Sequence, residues 1–111
     1  MDKREAVRVP VLDMRVRCSA HGPNGDVIDG LVEDVSRSGL FMRSPLQIRE
    51  GSSAEIDLEL PGEDMLHLGV EVVRIESEPR GGMALRFTSD VERARKPLAN
   101  FIMRQHQTVT R

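Results

Sequence analysis

Tryptophan and tyrosine are absent, and the three phenylalanines are Phe41, Phe87 and Phe101. A barrel that binds single-stranded nucleic acid presents aromatic faces on which bases stack, and this sequence has almost none to offer. Cysteine occurs once, at Cys18, which excludes an internal disulfide and fits a reducing cytoplasm. No apolar run approaches the ~20 residues of a membrane-spanning helix, and the opening MDKREAVR has no apolar signal-peptide stretch. The formal net charge of -2 is too small to attract a polyanion by bulk field. These shortages argue against a nucleic-acid partner and against membrane insertion. Lysine is scarce as well: all but Lys3 and Lys96 of the 16 basic residues are arginine. Arginine makes planar, bidentate and stacking contacts that lysine cannot.

What the chain does contain is enough for one soluble domain. Its 111 residues, 39% hydrophobic and 31% charged, can bury a core without a disulfide or metal staple. Most of the patterning has period two. Leu12 to Cys18 alternates apolar and charged residues, as a half-buried strand does. Glu55 to Leu60 repeats the pattern and ends at the turn Pro61-Gly62. Leu66, Leu68, Val70 and Val72 alternate with His67, Gly69 and Glu71, after which Val73 and Ile75 fall out of phase, the mark of a β-bulge. Met83, Leu85 and Phe87 form another alternating set, and Gly30 to Ser36 and Gly39 to Ser44 supply two more short strands. Six strands at this spacing predict a small antiparallel barrel. The tail changes period: Val91, Ala94, Leu98, Phe101 and Ile102 fall at helical spacing, with Ser89 and Glu92 as a candidate capping box. Pro97 interrupts that pattern and predicts a kink, or a second helix starting there. Residues 1–10 lack periodicity and read as a flexible basic arm, with the barrel and helix over residues 11–111.

Catalytic and metal chemistry find no support. His21, His67 and His106 are scattered, with no metal-ligand spacing around them. No nucleophile elbow, Walker loop or dinucleotide fingerprint occurs. Glu55, Asp57 and Glu59 share one face of a strand, which is the pattern of a solvated surface. The expectation is a protein that is not an enzyme and carries no resident cofactor.

Two constellations remain. Arg4 and Arg8 form an R-x-x-x-R in the arm, a pattern that chance alone supplies roughly once or twice in so arginine-rich a chain. Asp34-Val35-Ser36-Arg37-Ser38-Gly39 forms a D-x-S-x-x-G, for which chance supplies roughly 0.06 occurrences. Taken alone, that second motif also reads as a polar hairpin turn whose Asp and Ser bond their own backbone.

In this order, and with Leu-Phe-Met after the second motif, the chain resembles a PilZ domain. Val70-Glu71-Val72-Val73-Arg74-Ile75 is similar to that family's V-V-R strand, and Gly82-Met83-Ala84-Leu85-Arg86-Phe87 to its G-x-x-x-R-F strand. The closing helix is also in place. The resemblance implies a six-stranded antiparallel β-barrel with a C-terminal α-helix, and the second messenger cyclic di-GMP as ligand. It assigns the ligand to Arg4, Arg8, Asp34, Ser36 and Gly39. Lys3, directly before the first motif arginine, keeps a positive charge there but cannot stack, and Arg37 and Arg43 are further candidates for phosphate contacts.

The chemistry suits such a ligand. Arginine pairs with phosphates, bonds guanine O6 and N7 and stacks on a purine. Four residues of extended chain reach ~13 Å, so Arg4 and Arg8 could hold separate parts of one ligand. Asp34 could accept guanine's N1–H and N2–H, Ser36 adds a hydroxyl, and Gly39 permits a positive φ or a close backbone approach. The resulting expectation is a stand-alone cytoplasmic receptor for cyclic di-GMP that signals through a protein effector. The competing expectation is a PilZ-like adaptor in pilus or motility assembly that binds protein only.

Overall fold

The computed structural model describes residues 9–20, 27–89 and 91–109. Six strands are followed by one helix: β1 (Val9–Ala20), β2 (Val27–Val35), β3 (Gly39–Arg43), β4 (Ser53–Leu58), β5 (Leu66–Glu76), β6 (Gly82–Ser89) and α1 (Val91–Val109). The strands close into a barrel in the order β1-β2-β3-β6-β5-β4, and every neighbouring pair is antiparallel.

The alternation seen in the sequence becomes the inside and outside of this barrel. Met14, Val16 and Cys18 point into the core while Arg15 and Arg17 face out. Ala54, Ile56 and Leu58 do the same on β4, and Leu68, Val70 and Val72 on β5. The register shift between Val72 and Arg74 is the expected bulge, and it turns Val73 outward to 43% exposure. β1 starts at Val9, so Val9 and Pro10, given to the arm on periodicity, belong to the barrel and pair with Val35 and Asp34. Pairing with β2 defines this end of the strand.

At the helix, the alternative of a second helix starting at Pro97 and the cap at Ser89 are corrected. α1 runs as one helix through Pro97, with no second helix starting there. Ala94 before the proline, and Leu98, Phe101 and Ile102 after it, are all buried in one cluster with the barrel core. Keeping both halves on one face requires continuous helical phase. Burying three large side chains at about 1.5–3 kcal/mol each outweighs the ~3 kcal/mol that an interior proline costs. Ser89, expected as the helix cap, is instead the last residue of β6 and pairs with Gly69. A side chain at Gly69 would collide with the Ser89 hydroxyl. Glu92 bonds Arg95 at 2.5 Å, one turn along the helix.

Candidate functional site

The barrel registers align one row of residues on the outer surface. Pro10 of β1 pairs with Asp34 of β2, Asp34 with Phe41 of β3, Phe41 with Ala84 of β6, and Ala84 with Arg74 of β5. The inward neighbours Val35, Leu40, Leu85 and Val72 belong to the core, whereas Phe41 and Ala84 lie outside its cluster. Phe41 is nonetheless only 2% exposed, because the Arg80 side chain covers its ring.

The D-x-S-x-x-G segment is the β2–β3 turn. Ser36 N–H donates to Gly39 O at 2.9 Å. The Ser36 hydroxyl accepts the Ser38 N–H at 3.2 Å and lies 3.4 Å from Gly39 O and 3.2 Å from the Ser38 hydroxyl. The serine is fully buried. Its hydroxyl is thus spent on the turn, which is the self-bonding arrangement the motif suggested when read alone. Phe87 N–H donates to Ser38 O at 2.9 Å and ties the turn to β6. Gly39 does not have the positive φ that was one of its two expected uses. It serves close approach, since a Cβ there would strike Leu85 O and crowd the Arg86 backbone. Gly82, the glycine of the G-x-x-x-R-F strand, has a matching role: a Cβ would strike Met42 O and the Phe41 ring.

Asp34 differs from these structural residues, because its carboxylate is at the surface, with 19% of the side chain exposed. Regular alternation would send Glu33 and Asp34 to opposite faces. The register between β2 and β3 slips between Val32 and Asp34, and such a bulge re-aims the strand. Both carboxylates consequently reach one cation, Arg80. Its Nε donates to Glu33 at 3.1 Å, its Nη1 to Glu76 at 3.4 Å and its Nη2 to Asp34 at 3.5 Å, and its guanidinium carbon stands 3.7 Å from the Phe41 ring centroid. Partial burial works against the Arg80 charge, but the Glu33 hydrogen bond and the nearby carboxylates outweigh it and hold its pKa above the ordinary arginine value. Glu76 is held below the usual carboxylate range, first by its hydrogen bond from Arg74 and then, against some desolvation, by the Arg80 charge.

Arg80 was not singled out from the sequence, where it reads only as part of the Pro79-Arg80-Gly81-Gly82 turn. The turn itself is built by Gly81, at φ 61°, whose N–H donates to Ser77 O at 3.1 Å. Nothing local connects it to Asp34 and Phe41; the β3–β6 pairing does. Of the other sequence-predicted residues, Arg37 is exposed at the tip of the β2–β3 turn. Lys3, Arg4 and Arg8 lie outside the described residues. The strand nevertheless begins one residue after Arg8, with Val9 opposite Val35, beside the second motif.

Other chemistry is remote from this edge. A surface groove of about 430 Å³ opens between β1, β2 and β4, lined by Arg15, Arg17, Leu31, Asp57 and Met65 among others, and by none of Asp34, Ser36, Gly39 or Arg80. Cys18 is buried, and desolvation pushes its thiol up to about 11, where it is an inert hydrophobe. Among the described residues no cluster of His, Cys, Asp and Glu could hold a metal ion, and no helix is long and apolar enough to cross a membrane.

Comparison with known families agrees with this architecture. The PilZ domain profile matches residues 2–104. The chain belongs to the PilZ domain family. Solved structures share the barrel at low identity. The PilZ domain of YcgR from Escherichia coli, determined with c-di-GMP, superposes with a TM-score of 0.68 at 15% identity, covering 97% of this chain and 95% of that one. The Bacillus subtilis inhibitor of motility MotI/DgrA gives 0.78 at 19% identity, over 97% of this chain and 53% of its own. The MrkH–c-di-GMP complex of K. pneumonia gives 0.67 at 15% identity, over 93% and 53%. This PilZ chain therefore spans about half the length of the latter two. No curated protein sequence matches it. PilZ domains are receptor and adaptor domains rather than enzymes.

Proposed function

We propose that this PilZ domain is a receptor for cyclic di-GMP that passes its signal to a protein effector. The observation that carries the proposal is the β1–β2 register. It pairs Val9 with Val35 and Pro10 with Asp34, so the chain leaving Arg8 meets the barrel at the edge where the D-x-S-x-x-G turn lies. The family resemblance assigns the ligand to both motifs, and the similar YcgR and MrkH structures were determined with that nucleotide. In this reading Asp34 accepts N1–H and N2–H of a guanine. Arg4 and Arg8 pair with phosphate and stack on purine, with Lys3 and Arg37 as added positive charge. Ser36 and Gly39 act one step back, by fixing the turn that aims Asp34. The ligand face is the convex outside of the barrel, so the arm supplies the second wall. Closing it costs ~1–2 kcal/mol of backbone entropy per residue ordered, and the closed arm with its nucleotide is a new surface for an effector to read.

Calorimetric titration tests this. Cyclic di-GMP should bind with a dissociation constant on the order of micromolar, about -8 kcal/mol. Arg8→Ala should weaken binding by roughly 2 kcal/mol or more while moving the unfolding free energy by less than about 0.5 kcal/mol. Neither heat nor a melting shift with the wild-type protein would refute the receptor reading and leave the protein-only adaptor.

A further inference from the structure

The Arg80 guanidinium is flat, and its surroundings fix the direction of that plane. The Phe41 ring supports one face at 3.7 Å. Glu33, Asp34 and Glu76 hold its edge through three different nitrogens. The side chain keeps 35% exposure. An arginine held in this way is a rigid cationic platform, and arginine planes stack on purine faces. We infer that the Arg80–Phe41 stack is a purine-binding subsite, on whose outer guanidinium face one base of the nucleotide lies with Asp34 at its rim. The inference rests on the cyclic di-GMP reading and adds to it a residue outside both motifs.

Two features favour a platform over a plug that the ligand must displace. Pulling Arg80 away would break a cation–π contact, a hydrogen bond to Glu33 and two longer ones to Glu76 and Asp34 together, whereas stacking on it breaks none. Its removal would also take the shared cation from Glu33 and Asp34, with Glu76 keeping its bond from Arg74, and so increase the repulsion of a ligand with two phosphates. Arg80 offsets that repulsion while leaving Asp34 at the edge of the platform, where a guanine Watson–Crick edge presents its two donors. Phe41 is too well covered to stack on a base directly, so the arginine extends the reach of a buried ring to the surface.

The test uses the whole chain in three forms: wild type, Arg80→Lys and Arg80→Ala. Arg80→Lys keeps the charge and removes the plane. It should bind cyclic di-GMP about tenfold more weakly than wild type in calorimetry, and Arg80→Ala more weakly still. In wild type, saturating cyclic di-GMP should move the Arg80 Nε–H resonance upfield through the ring current of the stacked base, a readout that needs no variant to fold. An Arg80→Lys protein that binds as tightly as wild type, an Arg80→Ala protein that binds more tightly, or an Nε–H signal unmoved at saturation would overturn the subsite alone. A wild-type protein that takes up no cyclic di-GMP would overturn the receptor reading and the subsite with it.

Discussion

Replacing Ser36 with alanine separates a residue that holds the turn from one that holds a ligand. The hydroxyl is fully buried and makes two contacts with backbone, accepting Ser38 N–H at 3.2 Å and donating toward Gly39 O at 3.4 Å. Both are long, so each belongs at the low end of the ~0.5–1.5 kcal/mol that a net hydrogen bond contributes. Gly39 O keeps its bond from Ser36 N–H at 2.9 Å and is not orphaned by the change. Ser38 N–H loses its acceptor, but its residue is exposed and water can replace the hydroxyl. The sum is a loss of about 1 kcal/mol, with an upper bound of about 2 kcal/mol. For a domain of this size, 1 kcal/mol lowers the melting temperature by about 4–8 °C. Urea denaturation should therefore give a lower midpoint with an unchanged m-value. Cyclic di-GMP affinity should fall only modestly, through a less firmly aimed Asp34. If Ser36→Ala matches wild-type stability within about 0.3 kcal/mol while binding collapses by two orders of magnitude or more, the hydroxyl serves the ligand and the turn assignment is wrong.

Gly39→Ala should be worse than Ser36→Ala, at about 2 kcal/mol or more, because the atoms its methyl would strike are backbone of β6 and cannot rotate aside; equal denaturation midpoints for the two variants would contradict this. Leu58→Ala, at a fully buried core position of β4, should lose about 2–5 kcal/mol in urea denaturation, and a loss under 1 kcal/mol would mean that this face of β4 is not core. His67 lies between Asp57 at 2.7 Å and Glu55 at 2.9 Å, and the hydrogen bond to Asp57, followed by that to Glu55, raises its pKa above 6.5. Because the folded value is the higher one, its small contribution to stability is complete below pH 6.5 and disappears as pH rises through the folded pKa. An imidazole titration by NMR should find a midpoint above 6.5 that falls in Asp57→Asn, and a midpoint at or below 6.5 would refute the pairing.

The barrel was legible because strand patterning is a local property. Once Met14, Val16 and Cys18, or Ile56 and Leu58, alternate with charged residues, only one face of each strand can be buried. The bulge at Val73 showed as a break in that alternation for the same reason. Composition was legible too: without Trp or Tyr, and with arginine in place of lysine, the sequence already favoured an arginine-based site. The D-x-S-x-x-G motif supplied both of its readings, a turn and a ligand contact, but not the division between them. The structure buries Ser36, sets Gly39 against β6 and leaves Asp34 at the surface, and the proposed function divides the two readings on that basis. The unbroken path of α1 through Pro97 was likewise decided by burial on both sides of the proline, which helix propensity does not contain. Arg80 is the clearest case. Its partners Glu33, Asp34 and Phe41 are remote in sequence, and they converge only because β3 pairs with β6 and because the β2 bulge turns two consecutive carboxylates the same way. Sequence periodicity records which side of its own strand a residue faces. It does not record what lies across the barrel surface, because that depends on register, and register is settled only when all six strands close together.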